Sequence, residues 1–178
     1  DAWLENPPKR AINWNSMDPI TAVSEGNATM TELKDGSILV MGDRPEVDTY
    51  EIVYGTDANR VTGILLEALP DERLPNYGPG RGSYNGDGAF VVTEFRVELH
   101  PAPAPTNKTG GLGSETGNDG RDGTPKRIEF THAYATYQAK GHEINNAIDG
   151  NKLTSWFIGG GAGKRHVAVF ETVRPYEI

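Results

Sequence analysis

Residues 147–157 read AIDGNKLTSWF, placing a carboxylate, an amide, a hydroxyl and a large aromatic within one short segment. A hard divalent cation such as calcium takes six to eight oxygen ligands at about 2.3–2.6 Å. Asp149 offers a carboxylate, Asn151 an amide oxygen, and Thr154 both a hydroxyl and a carbonyl. Gly150 permits a tight turn that would let the Ala147 carbonyl face the same space. Glu94, from a distant strand, could close the shell. A calcium ion here would be structural, fixing the loop and tying it to the Glu94 strand. The competing reading is an Asx turn, in which Asp149 only caps its own backbone.

A second set of residues suits sugars. The stretch LPNYGPGRGSYNGDG carries Tyr77, Arg81, Tyr84, Asn85 and Asp87. Aromatic faces take the C–H surface of a sugar ring, and Arg, Asn and Asp form paired hydrogen bonds with neighbouring hydroxyls. The plainer alternative is an ordered loop whose tyrosines cover a sheet edge. Trp156 precedes Phe157 and Ile158 and reads as core, whereas Trp3 and Trp14 are candidates for exposed stacking alongside the two tyrosines.

Other chemistries find less support. Without cysteine there are no disulfides, thiolate nucleophiles or zinc ribbons. His100, His132, His142 and His166 lack metal-ligand spacing. GGGAGKRH has Arg165 after Lys164 where a phosphate loop needs Ser or Thr. No G-x-S-x-G elbow occurs, and no carboxylate pair stands out as glycosidase-like. The expectation is therefore a protein that is not an enzyme. A formal net charge of -8 argues against nucleic-acid partners. No apolar run is long enough to cross a bilayer, so membrane insertion is not expected.

These groups need a scaffold. The 22 glycines and 12 prolines favour turns and short strands over long helices. Strand-like runs are ITAVSEG, ATMTEL, ILVMG, DTYEIVYG, TGILLEAL, AFVVTEFRVEL, RIEFTHAYATYQ and HVAVFET. AFVVTEFRVEL reads as one strand, with Glu94 on its polar face and Val91, Phe95, Val97 and Leu99 on the other. HVAVFET is apolar on both faces and reads as a central strand. KDGS is a turn, HEINNAIDG holds one helical turn, and residues 70–88 form a long surface loop. About eight short strands with turns between them predict an all-β sandwich or jelly roll. Residues 1–17 read as an arm packing along a single domain at 18–178, with a Pro/Gly-rich connector at 100–126. The chain starts with Asp, and DAWLENPPKR lacks a signal-peptide pattern, so a processed form or a piece of a larger protein is expected.

AIDGNKLTSWF resembles the A-x-DG-x-x-x-T-x-W signature of galactose-binding-like β-sandwiches, through Ala147, Asp149, Gly150, Thr154 and Trp156. That group includes discoidin domains, the C-type domains of coagulation factors five and eight, and many carbohydrate-binding modules. The resemblance implies a jelly roll with calcium in the Asp-Gly loop and the Trp beneath it. TEFRVEL, with Glu94, Phe95 and Val97, resembles the group's late Glu strand, yet here it precedes the Asp-Gly loop. Either the domain is circularly permuted, or one of the two likenesses is accidental.

A longer likeness runs through SEGNATMTELKDGSILVMGDRPEVDTYEIVY, ILLEALPDERLPNYGPGRG, GAFVVTEFRVEL and AIDGNKLTSWFIGGGAGKRHVAVFE. These stretches look like a region of large multidomain planctomycete proteins that also carry cytochrome-c-like domains. The resemblance implies a non-catalytic, sugar-binding-like module of an exported protein, located in the periplasm, at the cell surface or outside the cell. Its partners would be a polysaccharide or other glycan. The alternative is a structural β-sandwich docking neighbouring domains or subunits. Members of that group usually continue past VRPYEI with further strands, so a truncated or cleaved chain, or one with a further tail, is expected.

Overall fold

A computed structural model describes residues 14–82, 86–100, 124–159 and 163–178. Among these residues the chain is all-β, with eleven strands, two short 3-10 turns and no α-helix. Most of the connector, residues 101–123, and the first 13 residues of the arm lie outside the described residues. Residues 14–17 have no regular structure, and the Trp14 indole lies over Gly63, where a Cβ would meet it at 3.6 Å.

The first four strands are β1 (Pro19–Ser24), β2 (Ala28–Glu32), β3 (Ile38–Gly42) and β4 (Tyr50–Tyr54), paired antiparallel as β1–β4 and β2–β3. KDGS forms the turn between β2 and β3 that its residues dictate. Gly36 takes φ +79°, and Asp35 Oδ1 accepts from the Ser37 N–H at 3.1 Å and its hydroxyl at 2.7 Å. This part of the chain buries little: of residues 14–59, Leu39 alone is buried.

The core belongs to the remaining strands: β5 (Arg60–Ala68), β6 (Phe90–Val92), β7 (Val97–Leu99), β8 (Lys126–Ile128), β9 (Phe130–Ala135), β10 (Trp156–Ile158) and β11 (His166–Glu177). β11 lies between β5 and β9 in a three-stranded antiparallel sheet. All residues from His166 to Phe170 are buried, as an apolar run covered on both faces requires. Beyond Glu171 the pairing with both neighbours shifts register, and Val173 to Pro175 are exposed. Pro175 has no N–H to give a ladder, so an irregular edge suits it. Tyr176 then returns to the interior, where its hydroxyl accepts from the Glu129 N–H at 2.9 Å.

Trp156, Ile158, Ala168, Phe170, Ile144 and Ala147 pack into one cluster. Phe95 stacks on Phe170 with centroids 4.2 Å apart, and Phe90 meets Trp156 edge-on at 6.0 Å. Burying each such side chain contributes about 1.5–3 kcal/mol. β6 pairs with β10, and β7 with β8.

Two expectations change. AFVVTEFRVEL is two strands, β6 and β7, broken at Thr93–Arg96. Phe90 and Val92 pack on the core while Val91 is 51% exposed, so the first part has the opposite phase to Phe95, Val97 and Leu99. Glu94 lies in the irregular segment between the two strands. Its side chain is only 11% exposed, so it leaves the polar face expected of it.

Residues 70–88 are not wholly a surface loop either. Gly78, Pro79 and Gly80 are buried against Gly88 and Ala89. The Gly80 N–H donates to Gly88 O at 3.0 Å and the Gly82 N–H to Ala89 O at 3.3 Å. A Cβ on Gly80 would run into the Ala89 carbonyl, and one on Gly78 into Gly88 O. Only glycine lets two backbones lie this close.

Gly80→Ala is therefore expected to lower unfolding free energy by about 3 kcal/mol in urea denaturation. Gly141→Ala, at φ +82° with open space around it, meets only the left-handed penalty of about 1–2 kcal/mol. Equal losses for the two variants would refute the backbone contact.

Candidate functional site

The Asp149 loop grows out of a 3-10 turn over Ile144–Ala147, whose Ile144 and Ala147 are buried. Polar side chains fasten that turn. Asn145 Oδ1 accepts from the Ala133 N–H at 3.0 Å, and Gln138 Oε1 from the Ile144 N–H at 2.9 Å. Asn146 Nδ2 donates to Ser155 O at 3.2 Å, and Trp156 Nε1 to Tyr137 O at 2.9 Å. The Asn pair of INNAIDG was the available signal for this stapling, and sequence reasoning missed it.

Within the loop, Gly150 takes φ +77°. Asp149 Oδ1 accepts from the Asn151 N–H at 2.8 Å, and Asn151 Oδ1 accepts from the Leu153 N–H at 3.1 Å. The Thr154 hydroxyl lies 2.8 Å from Asp149 Oδ2 and 2.7 Å from Asn151 O. It has one proton and cannot donate fully to both. Three oxygens thus converge around a single hydrogen. These bonds are those of an Asx turn, and they also gather the side-chain oxygens that a cation would need.

Glu94 reaches the same region through its neighbour, because the Phe95 N–H donates to Ala147 O at 2.7 Å. Glu94 Oε2 accepts from Arg96 Nε at 3.1 Å, while Oε1 is buried with no hydrogen-bond partner. A buried carboxylate oxygen left without a donor is costly. Among the described residues no cluster of three or more His, Asp or Glu side chains forms. Of the residues read as a cation shell, Asp149, Asn151 and Thr154 are joined by hydrogen bonds, and Glu94 is linked to Ala147 O only through the Phe95 N–H.

The sugar candidates are dispersed. Tyr84 and Asn85 lie outside the described residues. Asp87 Oδ1 accepts from the Ala89 N–H at 3.1 Å, helping to seat the buried glycine contact. Tyr77 is 51% exposed. It and Asn76 are consecutive non-glycine residues in left-handed conformation, at φ +53° and +52°. The Gly163 N–H donates to Tyr77 O at 2.7 Å, and a Cβ on Gly163 would touch the tyrosine ring at 3.3 Å. Tyr77 therefore stands between the loop after β5 and the loop before β11.

Arg81 faces inward, with its side chain 14% exposed. Its Nη2 donates to Asp48 Oδ2 at 3.2 Å and to the Tyr50 hydroxyl at 2.5 Å, and its Nη1 donates to Asp43 O. Asp48 also accepts the Ser24 hydroxyl at 2.8 Å and the Gly26 N–H at 2.8 Å. Burial pushes the Asp48 carboxyl up, but the Ser24, Gly26 and Thr49 hydrogen bonds and the Arg81 charge together leave it below the ordinary 3.8. Burial raises the Tyr50 hydroxyl despite Arg81 beside it. Arg81 thus clamps the glycine-rich segment onto β1 and β4.

His142 Nδ1 lies 2.9 Å from Ser155 Oγ. The contact is exposed and fastens the segment before β10 to the turn at His142. Compared with known proteins, the chain matches no family model, no curated protein and no solved structure.

The folded Asp48 carboxyl is more acidic than the unfolded one. Its stabilisation is complete above about pH 4 and is lost as pH falls through the depressed folded value. Asp48→Asn should cost about 2 kcal/mol at pH 7. The gap to the unsubstituted protein should close in unfolding curves taken at successively lower pH, and a gap constant down to acid pH would exclude the linkage.

Proposed function

We propose that this chain is a non-catalytic carbohydrate-binding-like module of an exported bacterial protein, with structural calcium in the Asp149 loop. The observation that carries the sugar reading is Tyr77. An exposed aromatic held by two successive left-handed residues is a strained arrangement, and such strain concentrates at ligand clamps. Its ring sits where two end loops meet, the usual place for a site on a β scaffold. A sugar ring would lie on the tyrosine face and find polar groups on the loops around it.

The calcium reading is supported by the partnerless Glu94 Oε1 and by the oxygens gathered at Asp149, Asn151 and Thr154. A divalent ion would satisfy the first and neutralise the second. The galactose-binding-like jelly roll, circularly permuted so that the Glu94 segment precedes the Asp-Gly loop, is proposed on the same residues and on Trp156 buried directly after that loop. The likeness to planctomycete multidomain proteins points to the periplasm, the cell surface or the medium.

A second reading has its own observation. Register places Val23 beside Glu51 and Val53 beside Thr21 on one face of the β1–β4 pair, and the valines are 55% and 42% exposed. That face would suit docking of a neighbouring domain or subunit.

Tyr77→Ala should weaken retention on a bound polysaccharide about tenfold, a loss of about 1.4 kcal/mol, with the melting temperature unchanged because the ring is exposed. If no polysaccharide retains the protein and light scattering finds a stable oligomer, the docking reading replaces the sugar one. Calcium at about 100 times its Kd should raise the melting temperature about 5–10 °C over chelated protein. Glu94→Gln should remove that rise, and a melting temperature indifferent to chelator would sink the ion site.

A further inference from the structure

Between the β3 end and the segment after β5 lies an open cleft of about 270 Å³. Its apolar lining is Met41, Leu74 and Pro75, and its charged lining is Arg44, Arg73 and Arg81. Among the described residues no carboxylate lines it, on a chain whose net charge is -8. Asp43, Glu46 and Glu72 flank the arginines in sequence, yet none of them contributes to the wall.

The three guanidinium groups differ in what they have left to give. Arg81 is spent on Asp48, Tyr50 and Asp43. Arg73 places Nε and Nη2 on Asp71 at 2.7 and 2.6 Å, which brings the Asp71 carboxyl down to about 2 and keeps it ionised. Arg73 Nη1 is not part of that fork. Arg44 donates one bond, from Nη1 to Arg81 O at 2.8 Å, and has no ion pair among the described residues. An exposed guanidinium with its Nε and Nη2 unengaged is built to take a planar or tetrahedral oxyanion through paired N–H donors.

The geometry points to this cleft as the seat of an anionic group, a carboxylate or sulfate, carried on the sugar that Tyr77 receives. Arg44 provides the paired donors, Arg73 offers its remaining Nη1–H groups, and Met41, Leu74 and Pro75 take the apolar side of the ring. Pro75 and Tyr77 belong to the same turn, so one polymer can reach both. The volume falls slightly below the roughly 300–1,000 Å³ of small-molecule pockets. It suits one substituted residue of an open-ended chain rather than an enclosed ligand. The inference rests on the carbohydrate reading for the polymer that bears the anion, not for the anion itself.

The test is affinity electrophoresis of the full chain in gels holding polygalacturonate, dextran sulfate or neutral dextran. A protein of net charge -8 is repelled by polyanions overall, so retardation by them must be local. The expected result is retardation by at least one acidic polymer and less by dextran, weakening as salt rises. Polygalacturonate identifies carboxylate as the source and dextran sulfate identifies sulfate. Arg44→Gln and Arg73→Gln should each reduce retardation at least about fivefold, near 1 kcal/mol, with unchanged melting temperatures. Equal retardation by dextran, or by acidic polymer with and without Arg44, overturns the inference and leaves the carbohydrate reading standing. Free galacturonate or sulfate that perturbs Arg44 side-chain NMR signals, without retention on any polymer, keeps the anion site and removes the carbohydrate reading. If neither polymer nor free anion binds, the anion site is wrong.

Discussion

The contact of Gly78 and Gly80 with Gly88 and Ala89, backbone against backbone, organises much of what surrounds it. On one side it delivers the chain into β6, whose Phe90 meets Trp156 and whose ladder partner is β10. On the other it delivers Arg81 into its clamp on Asp48 and Tyr50. A side chain at either glycine would push these two outputs apart. One steric constraint therefore couples the aromatic core to the polar attachment of the first four strands.

The two parts are held by different forces. Around β11 the aromatic cluster excludes water, and its stability scales with buried apolar area. The β1–β4 and β2–β3 pairs have a single buried residue, Leu39, and depend on directional bonds to Asp48. Such a region can open locally without unfolding the rest. The Asp149 loop belongs to the well-packed part. Its base is Ala147, wholly buried, and on the far side of the turn Trp156, two residues after Thr154, is wholly buried as well. Oxygens on such a base are held in fixed positions.

Much of the architecture was legible in the residues. HVAVF announced a central strand because consecutive apolar residues demand cover on both faces, and β11 is one. KDGS announced its turn, and INNAIDG its single helical turn, because glycine and short polar side chains have local geometric consequences. What could not be read were features created by tertiary contact. The phase change at Glu94 is invisible to alternation counting, since each half alternates correctly by itself. GPGR reads as loop by composition, yet its first three residues are buried against another backbone segment. Arg81 resembled a ligand-binding arginine because a guanidinium suits an internal carboxylate as well as an external hydroxyl. Only the placement of Asp48 decided its engagement.

The phase change has a further consequence for how this chain can vary in length. Only four residues, Thr93 to Arg96, join β6 to β7, and Phe95 among them packs on the core, so gaining or losing one residue there strains one flank or the other. Either Phe90 and Val92 leave their places against the core, or Phe95 does. Surface loops elsewhere accommodate insertions at little cost, but this segment cannot. Natural relatives, whatever their substitutions, should keep its spacing free of gaps. A linker or tag grafted there would scramble the hydrophobic register rather than merely lengthen a connection.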